Sequence, residues 1–218
     1  MLRIFEDVII ENSYYGISIG AGGDNTFTNV ECKNSVTRDL NLGLAYIGQR
    51  FTFEKCKFIT TTGTGFQCFN NVNKSYLKFI ECEFAVAPLM SQITDVLFEK
   101  CIFSKKVTFN NPSNKRTKFL NCFFNDTYGI EFTAISSFTE DLVVEGCTFN
   151  CSSYGVYILY QSLVRGTFKN NQFNGGVGIY HANCNGEVVF NSISGNQFVG
   201  CSTGIFTTQA FKSAKITD

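Results

Sequence analysis

The stretch Phe79-Ile80-Glu81-Cys82-Glu83-Phe84 decides the fold, because it comes back along the whole chain. It reads as an apolar residue, two residues, Cys or Asn, one residue, then Phe. The same pattern gives Phe53-Glu54-Lys55-Cys56-Lys57-Phe58 and Phe98-Glu99-Lys100-Cys101-Ile102-Phe103. Phe119-Leu120-Asn121-Cys122-Phe123-Phe124 and Val144-Glu145-Gly146-Cys147-Thr148-Phe149 follow. Asn takes the Cys place in Phe168-Lys169-Asn170-Asn171-Gln172-Phe173 and Ile193-Ser194-Gly195-Asn196-Gln197-Phe198. Weaker copies centre on Asn12, with Tyr14 in the Phe place, and on Cys32. The nine centres, 12, 32, 56, 82, 101, 122, 147, 171 and 196, stand 19 to 26 residues apart. A self-similar period of this size marks a repeat architecture.

A second pattern lies between the centres, a Gly followed by alternating apolar residues. Gly16-Ile17-Ser18-Ile19, Gly129-Ile130-Glu131-Phe132, Gly155-Val156-Tyr157-Ile158 and Gly204-Ile205-Phe206-Thr207 carry it. Each period thus holds at least two short stretches of period two, and no stretch shows a sustained helical stripe. One such strand pair cannot bury its apolar face alone. Stacking successive rungs about 4.8 Å apart gives every backbone N–H and C=O a partner in the next rung. Inward side chains then stand like on like. Phe58, Phe84, Phe103, Phe124, Phe149, Phe173 and Phe198 predict one aromatic column. Cys32, Cys56, Cys82, Cys101, Cys122 and Cys147 predict a second, continued by Asn171 and Asn196. The expectation is an all-β parallel solenoid of about nine rungs, roughly 40 Å long, with residues 1–218 as one domain.

This pattern, with its later Gly-Ile-x-Ile, resembles the right-handed single-stranded parallel β-helix of the pectate-lyase-like superfamily. The resemblance implies the fold over nearly the whole chain. It leaves function open, because such helices serve polysaccharide lyases, hydrolases, epimerases, phage tailspikes and passive scaffolds alike.

Composition excludes several classes. Lys plus Arg (18) cancels Asp plus Glu (18), so no net field attracts nucleic acid or an anionic membrane. Hydrophobic residues at 44% rule out a disordered chain. No apolar run is long enough to span a bilayer, and Met1-Leu2-Arg3-Ile4-Phe5-Glu6-Asp7 reads as neither signal peptide nor anchor. The next centre would fall just past Asp218. The expectation is therefore a segment of a longer solenoid, or ends covered by another chain, since open rungs present sheet edges. The ten Cys lack a second close pair beside Cys147 and Cys151, so free packed thiols are expected rather than a zinc site. Free thiols agree with folding in a reducing cytoplasm, before any place on a virion. One position before the centre, Glu31, Lys55, Glu81 and Lys100 alternate in sign and predict an exposed rung-to-rung ladder.

The strand after Gly carries the candidate site. With Ile130 and Phe132 inward, Glu131 faces out, and the same register exposes Tyr157, Tyr180 and Phe206 over about 14 Å. Earlier rungs carry Ser18, Gln67 and Thr108 in comparable places. A line of outward aromatics suits stacking on sugar rings or a subunit contact. Tyr160 and Arg165, with Lys169, are candidates to stand near the same strip. His181 is the only histidine and, by alternation, points inward or lies at the strand end. A lyase would need a base beside a cation, and a hydrolase two carboxylates about 5 to 10 Å apart. Asp126 with Glu131 is the one local carboxylate pair on this face, so Glu131, Asp126, His181 and Arg165 form the candidate catalytic set. The aspartates lack the clusters that the resemblance implies for pectate lyases and polygalacturonase-like hydrolases, and no catalytic residue carries over.

Three functions remain. The first is a glycan-binding or structural shaft of a tailspike-like or surface fibre protein, which the resemblance implies to be a homotrimer. The second is a polysaccharide lyase, hydrolase or epimerase, and the third a purely structural solenoid. A polysaccharide or surface glycan is the expected partner, with no cofactor, metal, nucleic acid or membrane.

Overall fold

The computed structural model describes residues 2–19, 23–43, 48–60, 65–69, 76–91, 94–110, 114–133, 137–182, 188–208, 211–212 and 216–217. Three parallel sheets wind about one axis, and no helix occurs among the described residues. One turn runs through Arg50–Glu54 in sheet A, Lys57–Phe58 in sheet B and Phe66–Phe69 in sheet C, then returns to sheet A at Tyr76–Ile80. Each strand pairs in parallel with its counterpart one turn away, as Arg50–Glu54 does with Tyr76–Ile80. Sheets B and C hold nine described strands each and sheet A thirteen. The fold is the parallel β-helix that the repeat predicts.

The interior is built of columns. The predicted Phe column stands in sheet B from Phe58 to Phe198, with ring centroids 4.6 to 5.2 Å apart. A second aromatic column stands in sheet A through Phe27, Phe53, Phe79, Phe98 and Phe119, 4.8 to 5.0 Å apart. These distances follow from the rung spacing and favour offset stacking.

The corner between sheets A and B explains the Cys and Asn centres. Cys56, Cys82, Cys101, Cys122 and Cys147 donate their Sγ–H to Phe27, Phe53, Phe79, Phe98 and Phe119 carbonyls of the preceding rung, at 3.3 to 3.5 Å. Asn171 and Asn196 repeat this with Nδ2 on the Val144 and Phe168 carbonyls, both at 2.9 Å. The Asn171 side-chain oxygen also accepts the Cys147 backbone N–H at 2.9 Å. Cys and Asn are thus interchangeable because both satisfy corner carbonyls that would otherwise be buried without a partner. The nine described cysteines are free.

Two centres are corrected. Cys32 pairs in register with Ile10 and Phe58, so it belongs to the Phe column of sheet B. Val30 holds the corner place instead, its carbonyl accepting the Lys57 N–H as Cys56 accepts that of Glu83. One turn earlier Val8, not Asn12, holds it, accepting from Glu31. The physical marker is the residue before the corner, which takes left-handed φ: Asp7, Asn29, Lys55, Glu81, Lys100, Asn121 and Asn170 all lie at 52 to 54°. Glu31 therefore leaves the predicted charge ladder, and Asn29 takes its place. Of that ladder, Lys100 and Glu81 do pair, at 3.4 Å.

Sheet A also extends sideways through Asn114–Lys115, Ser137–Glu140 and the start of Gln161–Lys169. Asp95, Arg116, Asp141 and Arg165, with φ between 52 and 58°, turn the chain from this extension into the main sheet. They interlock by charge. Arg116 donates to both Asp95 oxygens at 2.6 and 2.7 Å, and Arg165 to both Asp141 oxygens at 2.7 and 2.9 Å.

Candidate functional site

Sheet C presents the strip in the register the alternation requires. Glu131 pairs with Tyr157, Tyr157 with Tyr180, and Tyr180 with Phe206. The same outward column continues backwards through Thr108, Leu89, Gln67, Asn41 and Ser18. Inward neighbours Ile130, Phe132, Val156, Ile158 and Ile179 are buried and fix the facing.

The rings stack on one another. Tyr157 and Tyr180 have centroids 5.2 Å apart at 16°, and Tyr180 and Phe206 4.9 Å apart at 7°. Faces are therefore turned along the axis toward neighbouring rungs, while ring edges and phenol oxygens meet solvent. This alters the expectation of flat platforms for sugar rings: the strip is a comb of edges and hydroxyls.

A second tyrosine column, which alternation alone does not reveal, stands beside the first. Tyr128 pairs with Tyr154, their rings 5.3 Å apart, and Tyr154 lies 4.8 Å from Tyr157 and 4.9 Å from Tyr180. The intervening glycines cause it. A Cβ on Gly129 would meet Phe149 Cδ1 at 2.6 Å, and one on Gly155 would meet Phe173 Cδ1 at 2.5 Å. Glycine and the next residue both face inward there, and that shifts Tyr128 and Tyr154 to the outside. The signal that could have found them is the Tyr-Gly pair at 128–129 and 154–155.

The strip ends in a polar cluster. Lys106 Nζ lies 2.8 Å from Glu131 Oε2 and 5.2 Å from the Tyr128 ring centre. Thr108 donates to the same Glu131 oxygen at 3.2 Å, and the Lys106 backbone N–H donates to Asp126 at 3.0 Å. Lys106 thus gathers both candidate carboxylates, and both are already engaged. Burial, then the neighbouring phenols and Glu131, push the Tyr157 hydroxyl up to about 12. It is a neutral hydrogen-bond donor near neutrality and no base.

The other candidates stand elsewhere. His181 is fully buried inside the coil, between Ile158 and Thr207 in its column. Alternation from Tyr180 puts it there, on the opposite side of the sheet from the strip. Arg165 and Lys169 belong to a sheet A strand, and Arg165 is held by Asp141 and Glu140. Tyr160 follows the strand Tyr154–Leu159, exposed, with φ of 62°. The strip therefore unites Glu131, Tyr157, Tyr180 and Phe206 with Asp126 nearby, and leaves His181 and Arg165 out.

Among the described residues no three of His, Cys, Asp and Glu converge as metal ligands. Burial is the main force that pushes the Cys32, Cys68, Cys82 and Cys122 thiols up, so these are poor ligands as they stand.

Comparison with known proteins returns no match among curated proteins and none among solved structures. One family model, described as periplasmic copper-binding protein (NosD), matches residues 93–218, more than half of the chain and the whole of the aromatic strip. The β-helix described above, with its corner ladder and outward tyrosines, belongs to the NosD family.

Proposed function

We propose that the outer face of sheet C from Glu131 to Phe206 is a saccharide-binding surface on a non-catalytic β-helix. The observation that carries this reading is the double column, Tyr128–Tyr154 beside Tyr157–Tyr180–Phe206, in one register on a parallel sheet. Phenol hydroxyls repeat at the rung spacing of about 4.8 Å, which suits the repeated hydroxyls of an extended glycan. Lys106, Glu131 and Thr108 add donors and acceptors at one end. Aromatic tips that are apolar along the ring and polar at the oxygen are what a wet carbohydrate contact uses.

The arrangement supports binding rather than bond cleavage. The carboxylates near the strip are tied to Lys106, and the histidine is on the inner side. Copper, named in the family's description, asks for convergent imidazole or thiolate donors. His181 is enclosed and the corner thiols donate to carbonyls, so the described residues do not fit that metal.

Titration of a panel of neutral and acidic oligosaccharides by calorimetry tests the reading. Tyr157→Phe with Tyr180→Phe keeps the stack and removes two hydroxyls, and should weaken binding about thirtyfold, at about 1 kcal/mol per lost hydrogen bond. A variant that binds as the parent does would end it.

A further inference from the structure

We propose that a groove on the outer face of sheet A binds an oligosaccharide that carries a carboxylate on every second sugar. The groove is open to solvent, holds about 520 Å³ and is lined by Tyr76, Lys78, Leu97, Arg116, Lys118 and Val143, among others. It lies on a different sheet from the tyrosine columns, and the proposal stands independently of them.

Its floor is set by register. Lys78, Leu97, Lys118 and Val143 face outward from four successive strands, each paired with the next. Lys78 and Lys118 are therefore two rungs apart, about 10 Å, close to the length of one disaccharide unit. Among the described residues neither lysine has a carboxylate partner, whereas Lys33, Lys55, Lys100, Lys106 and Lys115 all do. Between and beyond the two ammonium groups the floor is aliphatic, half-buried Leu97 and Val143, and this suits the C–H face of a sugar ring. Tyr76, 45% exposed, closes one end, with the Arg50 guanidinium 5.7 Å from its ring centre.

The wall decides how densely charged the ligand is. Arg116 is held by Asp95, and the Asp141 carboxylate also borders the groove, held by Arg165. Glu99 and Glu145 are the next outward residues after Leu97 and Val143, two positions on along their strands. A polyanion charged at every unit, such as a nucleic acid, would meet these carboxylates and find no continuous basic stripe. A chain with one carboxylate per disaccharide meets a lysine at each charge and acceptor oxygens for its hydroxyls in between. Anionic groups recruit lysine as a point charge, so the contact is sensitive to salt.

The test uses the full chain and three probes in calorimetry at low salt: a hyaluronan hexasaccharide, its carboxyl-reduced neutral form, and hexaglutamate. Saturable binding of the hyaluronan hexasaccharide is expected, tighter than either control by tenfold or more. Lys78→Gln with Lys118→Gln should weaken it at least tenfold, while Lys57→Gln, on the exposed face of sheet B, leaves it unchanged. Both lysines are exposed, and an unchanged melting curve certifies the variant's fold. No saturable binding, equal binding by the lysine variant, or equal affinity for the neutral sugar would overturn the proposal. Hexaglutamate binding as tightly as the hexasaccharide would overturn the saccharide assignment. Loss of hyaluronan binding in Tyr157→Phe with Tyr180→Phe would move the site to sheet C.

Discussion

Two aromatic ladders run up this molecule, one inside and one outside. Phe84, Phe103 and Phe124 stack at 4.8 Å in the closed interior, and Tyr157, Tyr180 and Phe206 stack at 4.9 to 5.2 Å on the surface of sheet C. The geometry is nearly the same because the rung spacing imposes it on any column of rings. Stacking by itself is therefore no mark of a site. The difference lies in what surrounds the rings. The inner phenylalanines are fully enclosed and crossed by a second Phe column, as Phe103 is by Phe98 at 5.4 Å. The outer tyrosines carry hydroxyls, the outer rings keep an edge in water, and the column ends at a lysine–glutamate pair.

Matched substitutions in the two ladders should separate stability from binding. Phe103→Ala removes an enclosed ring with stacked neighbours on both sides and should cost about 3–5 kcal/mol, read by denaturant unfolding. Saccharide binding should survive wherever the variant remains folded. Asn171→Ala leaves the Cys147 N–H and the Val144 carbonyl without partners. A cost of about 1–3 kcal/mol is expected, and Asn171→Cys should recover part of it, since Cys fills that corner elsewhere. Tyr157→Ala with Tyr180→Ala opens no enclosed cavity and should destabilise the fold less than Phe103→Ala does, yet abolish most binding to sheet C. Equal destabilisation by the inner and outer substitutions would sink the distinction.

The smallest effect is one of acidity, and its sign differs between inside and outside. Burial raises the carboxyl of enclosed Asp39 above the ordinary aspartate range, against the lowering effect of hydrogen bonds from Thr60. A carboxyl raised by folding takes up a proton on folding, so Asp39 adds stability as pH falls through its raised value. Arg165 beside Asp141 holds that carboxyl below the ordinary range. Its contribution is present above the ordinary aspartate value and is lost as pH falls through the depressed one. Melting temperatures of Asp39→Asn and Asp141→Asn between pH 7 and 3 should therefore diverge from the parent in opposite directions. For the solvent-exposed Asp141 pair the amplitude should stay below about 1 kcal/mol.

The sequence carried most of the fold where the corner residue is Cys or Asn. From Cys56 to Asn196 the spacing alone placed the corner, the Phe column and the outward strip. It misled at Asn12 and Cys32, because the corner there is Val8 and Val30 and no polar side chain marks it. What persists through all turns is a backbone property, the left-handed residue before the corner. Residues as different as Asp7, Lys55 and Glu81 adopt it, so composition hides it. Glu131, Tyr157, Tyr180 and Phe206 were legible because strict alternation holds after each glycine. Tyr128 and Tyr154 were not, because two consecutive inward residues, Gly and the aliphatic after it, interrupt the period. Arg165 is close to the strip only in chain order, since the path crosses from sheet C to sheet A after Tyr160.

The thiol column has one further consequence, for how the coil comes apart. Cys56 to Cys147 are sealed by the turns above and below them, whereas Cys201, which lies outside that column after the last sheet B strand, is partly open to solvent. Among the described cysteines, an alkylating reagent added to the native protein would therefore label Cys201 first, and each deeper sulfur only when the windings over it loosen. The ladder that fastens the corner is thus a graduated gauge, on which the order of labelling records how far unwinding has travelled from the tip.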